Sequence, residues 1–284
     1  TYSSKRSIER DNFYKTLITY NIMIKRTFVV DALAVFCFSA FAQTNIKDVR
    51  TNPDLFFLKD GEQASSLDLL PPPPEIGSLQ WFNDEARYYW GLKQRNTPRG
   101  DQAAADANVE DVAMNFSDAF GTRITKEETP AIYKLVYKMR EDAGDLATRS
   151  AKKYYNRIRP FKYYNVPTCN SKQEGELSTN GSYPSGHTTI GWAEALVLAE
   201  INPDRQNEIL KRGFEMGQSR VICGYHWQSD VDAARVVASG VVARLHANKE
   251  FQKYLEAAKK EFAKLVKQGK VKKSEFVATP WDKK

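Results

Sequence analysis

Three short segments hold residue types whose spacing suits chemistry on a phosphate group. In the first, Lys152 and Arg159 stand seven positions apart. That is close to two helical turns, so on a continuous helix both cations would project from one side, and Pro160 would end that helix beside Arg159. In the second, Ser185-Gly186-His187 follow Pro184 where a helix is expected to begin. Unpaired backbone N–H groups and the positive end of the helix dipole favour an oxyanion there. Gly186 lets a ligand approach the backbone, Ser185 adds a hydroxyl, and His187 is a candidate proton donor. In the third, Arg220 precedes His226, and Asp230 lies four residues after that histidine. A carboxylate at this spacing reaches one ring nitrogen across a helical turn. It would set the tautomer and leave the other nitrogen free as a nucleophile, while Arg220 adds planar donors matched to phosphate oxygens.

Singly, each segment has a bland explanation: a solvated basic face, a capped helix with a surface histidine, a structural His–Asp bond. Jointly they meet the demands of phosphoryl transfer, which are charge compensation on three oxygens, an in-line nucleophile and protonation of the leaving group. No metal cluster competes for that work, since Asp230-Val231-Asp232 has no His or Cys at ligand spacing. Of the three histidines, only His246 lacks a partner in sequence and is expected at the surface. His187 must be protonated to donate and His226 neutral to attack, which predicts an acidic working range around the ordinary histidine pKa of ~6.5.

The elements that must position these groups are helical by periodicity. Apolar residues recur at three-to-four spacing over 79–96 and 101–116. Thr125 with Glu128 has the form of a capping box for a helix through Met139. Gly144 interrupts, Asp145 can cap a helix toward Ile158, and a polar loop spans 165–183. Helices are then expected from Ser185 to before Asn202-Pro203, over about 204–223, and from a Ser229/Asp232 cap to about His246. Trp192 and Trp227 flank the motifs and read as core aromatics. Glu141, eleven residues before Lys152, reaches the site only if Gly144 bends the chain. No alternating run is long enough for a sheet.

In this order the three segments resemble the type 2 acid phosphatase superfamily, which also contains vanadium haloperoxidases and lipid phosphate phosphatases. The chain is more closely similar to bacterial class A non-specific acid phosphatases. Leu69-Leu70 before four prolines, the run Glu141-Asp142-Ala143-Gly144-Asp145-Leu146-Ala147-Thr148-Arg149-Ser150-Ala151-Lys152, and residues 217–235 carry that likeness. The resemblance implies a single compact all-α domain of the acid phosphatase/vanadium haloperoxidase type. It implies that His226 forms a phosphohistidine, Asp230 orients it, His187 protonates the leaving alkoxide, and Lys152, Arg159, Ser185, Gly186 and Arg220 hold the phosphoryl oxygens. It further implies a periplasmic or secreted, metal-independent homo-oligomer without a cofactor. Its substrates would be small phosphomonoesters, nucleotides included, with phosphotransfer to alcohols as a side activity. Vanadate would bind as a mimic of the phosphoryl transition state. A vanadate-dependent haloperoxidase would use the same pocket, and a non-catalytic phosphate- or nucleotide-binding protein would need its cations without its nucleophile.

Charge and composition narrow the classes further. The 284 residues are 42% hydrophobic and 27% charged, which excludes a largely disordered chain. Of the net +7, the stretch between residues 43 and 248 carries 25 basic against 27 acidic groups. The basic excess therefore sits at the two ends and not on a folded face that would take a nucleic-acid polymer. Met23-Ile24-Lys25-Arg26, an apolar run and Ala40-Phe41-Ala42 have the form of a signal peptide over 23–42, cleaved near Ala42. Residues 1–22 then read as upstream sequence foreign to the natural protein. Residues 43–78 form an arm with the proline run 71–74, residues 79–248 the helical catalytic domain, and residues 249–284 a lysine-rich C-terminal helix and tail. This last stretch is amphipathic in pattern, with Phe251, Leu255, Phe262 and Leu265 among its charges, and is expected to be a solvated terminal helix. No apolar stretch is long enough for an integral membrane domain. Cleavage would remove Cys37 and leave Cys169 and Cys223, either as one disulfide or as two buried thiols.

Overall fold

Among the described residues, the most apolar helix is the central one. We label the helices of eight or more residues as α1 Leu79–Gln94, α2 Pro98–Ala105, α3 Val112–Phe120, α4 Pro130–Glu141, α6 Gly186–Ile201, α7 Gln206–Ile222, α8 Gln228–His246 and α9 Lys249–Lys267, with the seven-residue Arg149–Tyr155 as α5. This computed structural model describes residues 55–109 and 111–277, which lie within one compact unit, Val49–Lys284. No strand occurs among the described residues, so the fold is all-α. The expected leader, signal peptide and cleavage point within residues 1–42 lie outside the described residues.

Helix α6 is buried on nearly every side, as a helix apolar all round must be. It packs on α7, α8, α4 and the turn after α4. The crossing with α7 is close because Gly191 and Gly213 face each other: a Cβ on Gly213 would overlap Ala195 Cβ and lie 3.1 Å from the Gly191 carbonyl. Gly213→Ala should therefore destabilise by about 1–3 kcal/mol through overpacking, read as a lower denaturant midpoint at unchanged slope. Glu194 on α6 is fully buried, and burial raises its carboxyl pKa to about 8, with Arg140 opposing. It is thus a neutral acid in the core.

The C-terminal helix α9 is part of this core. Phe251, Leu255, Ala258 and Leu265 are buried on one face, and Glu261 accepts the Ala131 and Ile132 N–H groups at the start of α4. A carboxylate satisfies free donors and the dipole there at once. Only the opposite, lysine-bearing face is solvated.

Several boundaries differ from the periodicity. Residues 101–116 break into α2 and α3, because Asp111 caps a new helix by accepting the Met114 N–H at 2.9 Å. Thr125 accepts the Glu128 N–H as the capping box requires, but it closes only a turn. Helix α4 starts at Pro130, since a residue before proline avoids helical geometry. Asp145 lies in a wide turn, Asp142–Leu146, and pairs with Arg149, while the cap position of α5 is Thr148. Helix α5 ends at Tyr155 because Asn156 is left-handed, with φ 40°. Helix α8 is capped at Trp227, and Ser229 sits inside it. Trp227 is fully buried and Trp192 packs against the core, as read from sequence.

Candidate active site

Because α5 stops at Tyr155, Lys152 and Arg159 do not share a helix face. Arg159 is extended and precedes the single turn Pro160–Tyr163. The two cations converge nonetheless, through carbonyls of the loop 165–183. Lys152 Nζ donates to Gly181 O at 2.9 Å. Arg159 Nε donates to Leu177 O and Asn180 O, and Nη2 to Gly181 O. The loop is tied down by a Cys169–Cys223 disulfide, whose Cα atoms lie 4.8 Å apart. That bridge joins it to the end of α7, next to Gly224-Tyr225-His226.

Ser185 caps α6, its hydroxyl accepting from the Thr188 N–H, and its own N–H donates to Asp230 O at 3.1 Å. Gly186 lies against the wide turn: a Cβ there would sit 3.0 Å from Gly144 O. His187 follows, half-buried, on the first turn of α6.

His226 is 2% exposed. Its Nδ1 donates to Asp230 Oδ2 at 3.3 Å, and its Nε2 lies 2.9 Å from Arg159 Nη1. A guanidinium can only donate, so Nε2 carries the lone pair and Nδ1 the proton. Asp230 Oδ2 also accepts the Trp227 N–H at 2.9 Å, which holds the carboxylate at the start of α8. Arg220 is 1% exposed and lies over the Tyr225 ring at 3.9 Å. Among the described residues, none of its Nε, Nη1 and Nη2 atoms has a hydrogen-bond partner. The last turn of α7 is braced by Ser219 and Arg212, both donating to the buried Asp106.

The electrostatics of the site follow from gathering cations in a desolvated space. Burial, then Arg220, His226, Arg159 and Lys152 in turn, push the His187 pKa well down. Burial with Arg159, Lys152 and Arg220 does the same to His226, against a raising backbone bond at Ser182. Burial, then Arg159 and Arg220, push Lys152 well down, with Asp230 and Asp145 opposing. Arg159 falls to about 10 and Arg220 to about 9, chiefly by burial. Both guanidiniums still carry charge at neutral pH. Such a cluster is repulsive when empty and suits a multiply charged anion.

All eight residues singled out in the sequence are therefore drawn to one place. Two others at the site were not: Arg157 and Asp84. Arg157 Nη1 donates to Asp230 Oδ1 at 2.6 Å and Nη2 to Asp84 Oδ2 at 2.8 Å. Asp84 also accepts from the N–H and hydroxyl of Ser229. A signal for Asp84 was present: Trp81, Asp84, Tyr88 and Gly91 are the buried stripe of α1, so an acid stands at an inward position. Nothing in sequence distinguishes Arg157 from its basic neighbours. Glu141 pairs with Arg140, and His246, in the last turn of α8, with Glu200, in the last turn of α6.

Among the described residues, no group of three or more His, Cys, Asp and Glu is placed to hold a metal ion. No helix among them is long and apolar enough to cross a membrane.

Residues 143–252 match the PAP2 superfamily. The chain is 62% identical over 244 residues to a non-specific acid phosphatase of Providencia stuartii, covering 83% of this chain and 98% of that protein. It is 45% identical over 202 residues to a non-specific acid phosphatase of Salmonella typhimurium, covering 70% and 81%. An acid phosphatase of Zymomonas mobilis is 38% identical over 198 residues, covering 69% and 74%. On sequence, helical fold and the matched span together, this chain belongs to the bacterial class A non-specific acid phosphatases of the PAP2 superfamily.

Proposed function

We propose that this phosphatase works outside the cytoplasm, as a homo-oligomer, on a broad range of small phosphomonoesters that includes nucleotides, through a phosphohistidine on His226. The observation that carries this reading is Arg220, a buried guanidinium with no hydrogen-bond partner at Nε, Nη1 or Nη2, beside a histidine whose free nitrogen is already set by its tautomer. Leaving such donors unpaired costs stability, and a phosphoryl group would supply the missing acceptors.

The phosphoryl oxygens would rest on Arg220, Lys152, Arg159, the Ser185 hydroxyl and the N–H groups at the start of α6. Arg159 Nη1 would leave His226 Nε2 for a phosphoryl oxygen, which frees the lone pair. Nε2 then attacks phosphorus as the P–O ester bond breaks, and His187 gives its proton to the departing oxygen. Water next attacks the phosphohistidine and yields a proton to His187. The P–N bond breaks, its electron pair returns to Nε2, and phosphate leaves. An alcohol in place of water gives phosphotransfer. Asp230 orients Nδ1–H and stabilises the charge that the ring gains on attack. Fixed side-chain cations supply the charge compensation that other phosphoryl-transfer enzymes take from a metal.

The signs of the pKa shifts support an acid range. Burial first, and then the cations, push the His226 pKa well below the usual histidine range, which favours a neutral nucleophile in acid. His187 is also held neutral in the empty site, but a bound phosphoryl dianion reverses the field around it and raises its pKa. Activity should then fall as rising pH deprotonates His187 in the complex. Export is supported by the Cys169–Cys223 bridge, because disulfides persist in oxidising compartments, and by the basic, apolar and small-residue pattern of residues 23–42.

The test is hydrolysis of an aryl phosphate and a nucleotide panel across pH, with and without chelator. The expected result is activity highest in acid and unchanged by chelator. A rate that climbs steadily into alkali, or that chelator abolishes, would overturn the mechanism.

A further inference from the structure

Behind His226 the chain of charges continues further than an orienting carboxylate requires. Asp230 is fully buried and divides its oxygens. Oδ2 faces His226 Nδ1 and the Trp227 N–H, while Oδ1 takes the Arg157 guanidinium at 2.6 Å. Arg157 is held in turn by Asp84 at 2.8 Å and by Ser229 Oγ at 2.7 Å. It also lies against a pair of indole rings packed on each other, 5.8 Å from the Trp81 centroid and 5.4 Å from that of Trp227. Asp84 is 0% exposed and the Arg157 side chain 7%. A charge-assisted bond between buried ions with this many partners is rigid.

We propose that Arg157, held by Asp84, is a positioning residue that acts through Asp230 to keep the His226 ring oriented and neutral in acid. The proposal rests on the nucleophile role given to His226 above. Two physical effects follow from the geometry. The bond to Oδ1 stops the carboxylate from rotating, so Oδ2 stays on Nδ1 and Nε2 stays aimed. The cation also neutralises much of the Asp230 charge, which otherwise favours the imidazolium. An exposed His–Asp pair would be protonated in acid and lose its nucleophile; this pair is shielded from behind by Arg157 as well as from the front.

The charged and titratable groups facing Asp230 and His226 are Arg157 and Asp84 from behind, Lys152, Arg159 and Arg220 from the phosphoryl side, and His187 and Tyr183 from the start of α6 and its approach. Substitutions at Arg157 and Asp84 alter only the rear set.

The experiment measures kcat, KM and the acid limb of kcat/KM on an aryl phosphate for four variants. Arg157→Met should lower kcat on the order of 100-fold through misaimed attack, with little change in KM, and move the acid limb up by about one pH unit or more. Asp84→Asn removes a negative charge from behind and should move the limb the opposite way. Arg157→Lys keeps the charge without the fork, so kcat should drop while the limb stays. If Arg157→Met does not fold, the opposed behaviour of Asp84→Asn and Arg157→Lys decides the matter. A limb that stays fixed in Arg157→Met or Asp84→Asn, or that moves the same way in both, would mean a purely structural role and overturn the proposal. Asp230→Asn separates the two readings: full activity there would sink the His226 assignment itself, whereas its loss together with a fixed limb at Arg157 and Asp84 would sink only this inference.

Discussion

Turnover of an aryl phosphate should fall by several orders of magnitude, roughly 10⁴-fold or more, in His226→Ala, with inorganic phosphate still bound. The reasoning is local. In the proposed path the ring contributes the attacking lone pair, while Lys152, Arg159, Arg220 and Ser185 serve the phosphoryl oxygens and His187 stands on the leaving-group side. The anion cradle survives the substitution because each of its cations has partners besides His226; Arg159 loses one bond to that ring and keeps its bonds to backbone carbonyls. Lys152 and Arg159 are held by the carbonyls of Leu177, Asn180 and Gly181, and Arg220 by Tyr225. Binding of phosphate to the variant, followed by calorimetry or by the rise in thermal midpoint that ligand linkage gives, separates lost chemistry from lost structure. Retention of wild-type turnover would refute the nucleophile assignment.

Arg220→Met should move activity and stability in opposite directions. Removing one donor aimed at developing charge costs on the order of 100–1,000-fold in rate, and the variant should lose the stabilisation that added phosphate gives the wild type. Without ligand, however, the buried guanidinium is a burden. Its donors are unpaired among the described residues, and burial already pushes its pKa down to about 9. Exchange of an unsatisfied buried ion for an apolar side chain of similar length is worth about 1–4 kcal/mol where it has been favourable. The cation–π contact with Tyr225 returns about 0.5–2 kcal/mol to the wild type, so desolvation wins by a smaller margin. The expected outcome is a thermal midpoint a few degrees higher alongside the loss in kcat/KM. A lower midpoint with activity intact would show that Arg220 is a structural group and not part of an anion site.

Asp84 and Arg157 mark where sequence reading ran out. Asp84 sits at a buried register of α1, a position visible in the periodicity, but its partner lies 73 residues away and no local spacing points to it. Arg157 lies in a stretch with Lys152, Lys153 and Arg159, and only the left-handed turn at Asn156 sends it to the rear of Asp230 and its neighbour-but-one to the front. The same turn explains the misjudged path from Lys152. Two cations seven residues apart were placed on one helix, whereas the chain breaks and brings them together from two separate elements. The lysine-rich C-terminus misled for a different reason. Its charge is so dense that the buried line of Phe251, Leu255, Ala258 and Leu265 looks minor until α4 is seen against it.

The residue types alone pointed to a reaction class: a His with a carboxylate four positions on, a second His after a capping Ser-Gly pair, and three cations suit phosphoryl transfer, because charge, proton and lone pair must all be supplied. They also determined the helical class, since apolar spacing of three to four residues has no use in a sheet. What only the tertiary structure decided is where each group points. Direction depends on how helices cross and where they stop, on glycine contacts between α6 and α7, on loop carbonyls that catch Lys152 and Arg159, and on the Asp84–Arg157 pair closing behind Asp230. Those are long-range contacts, and a local pattern carries no record of its distant partner.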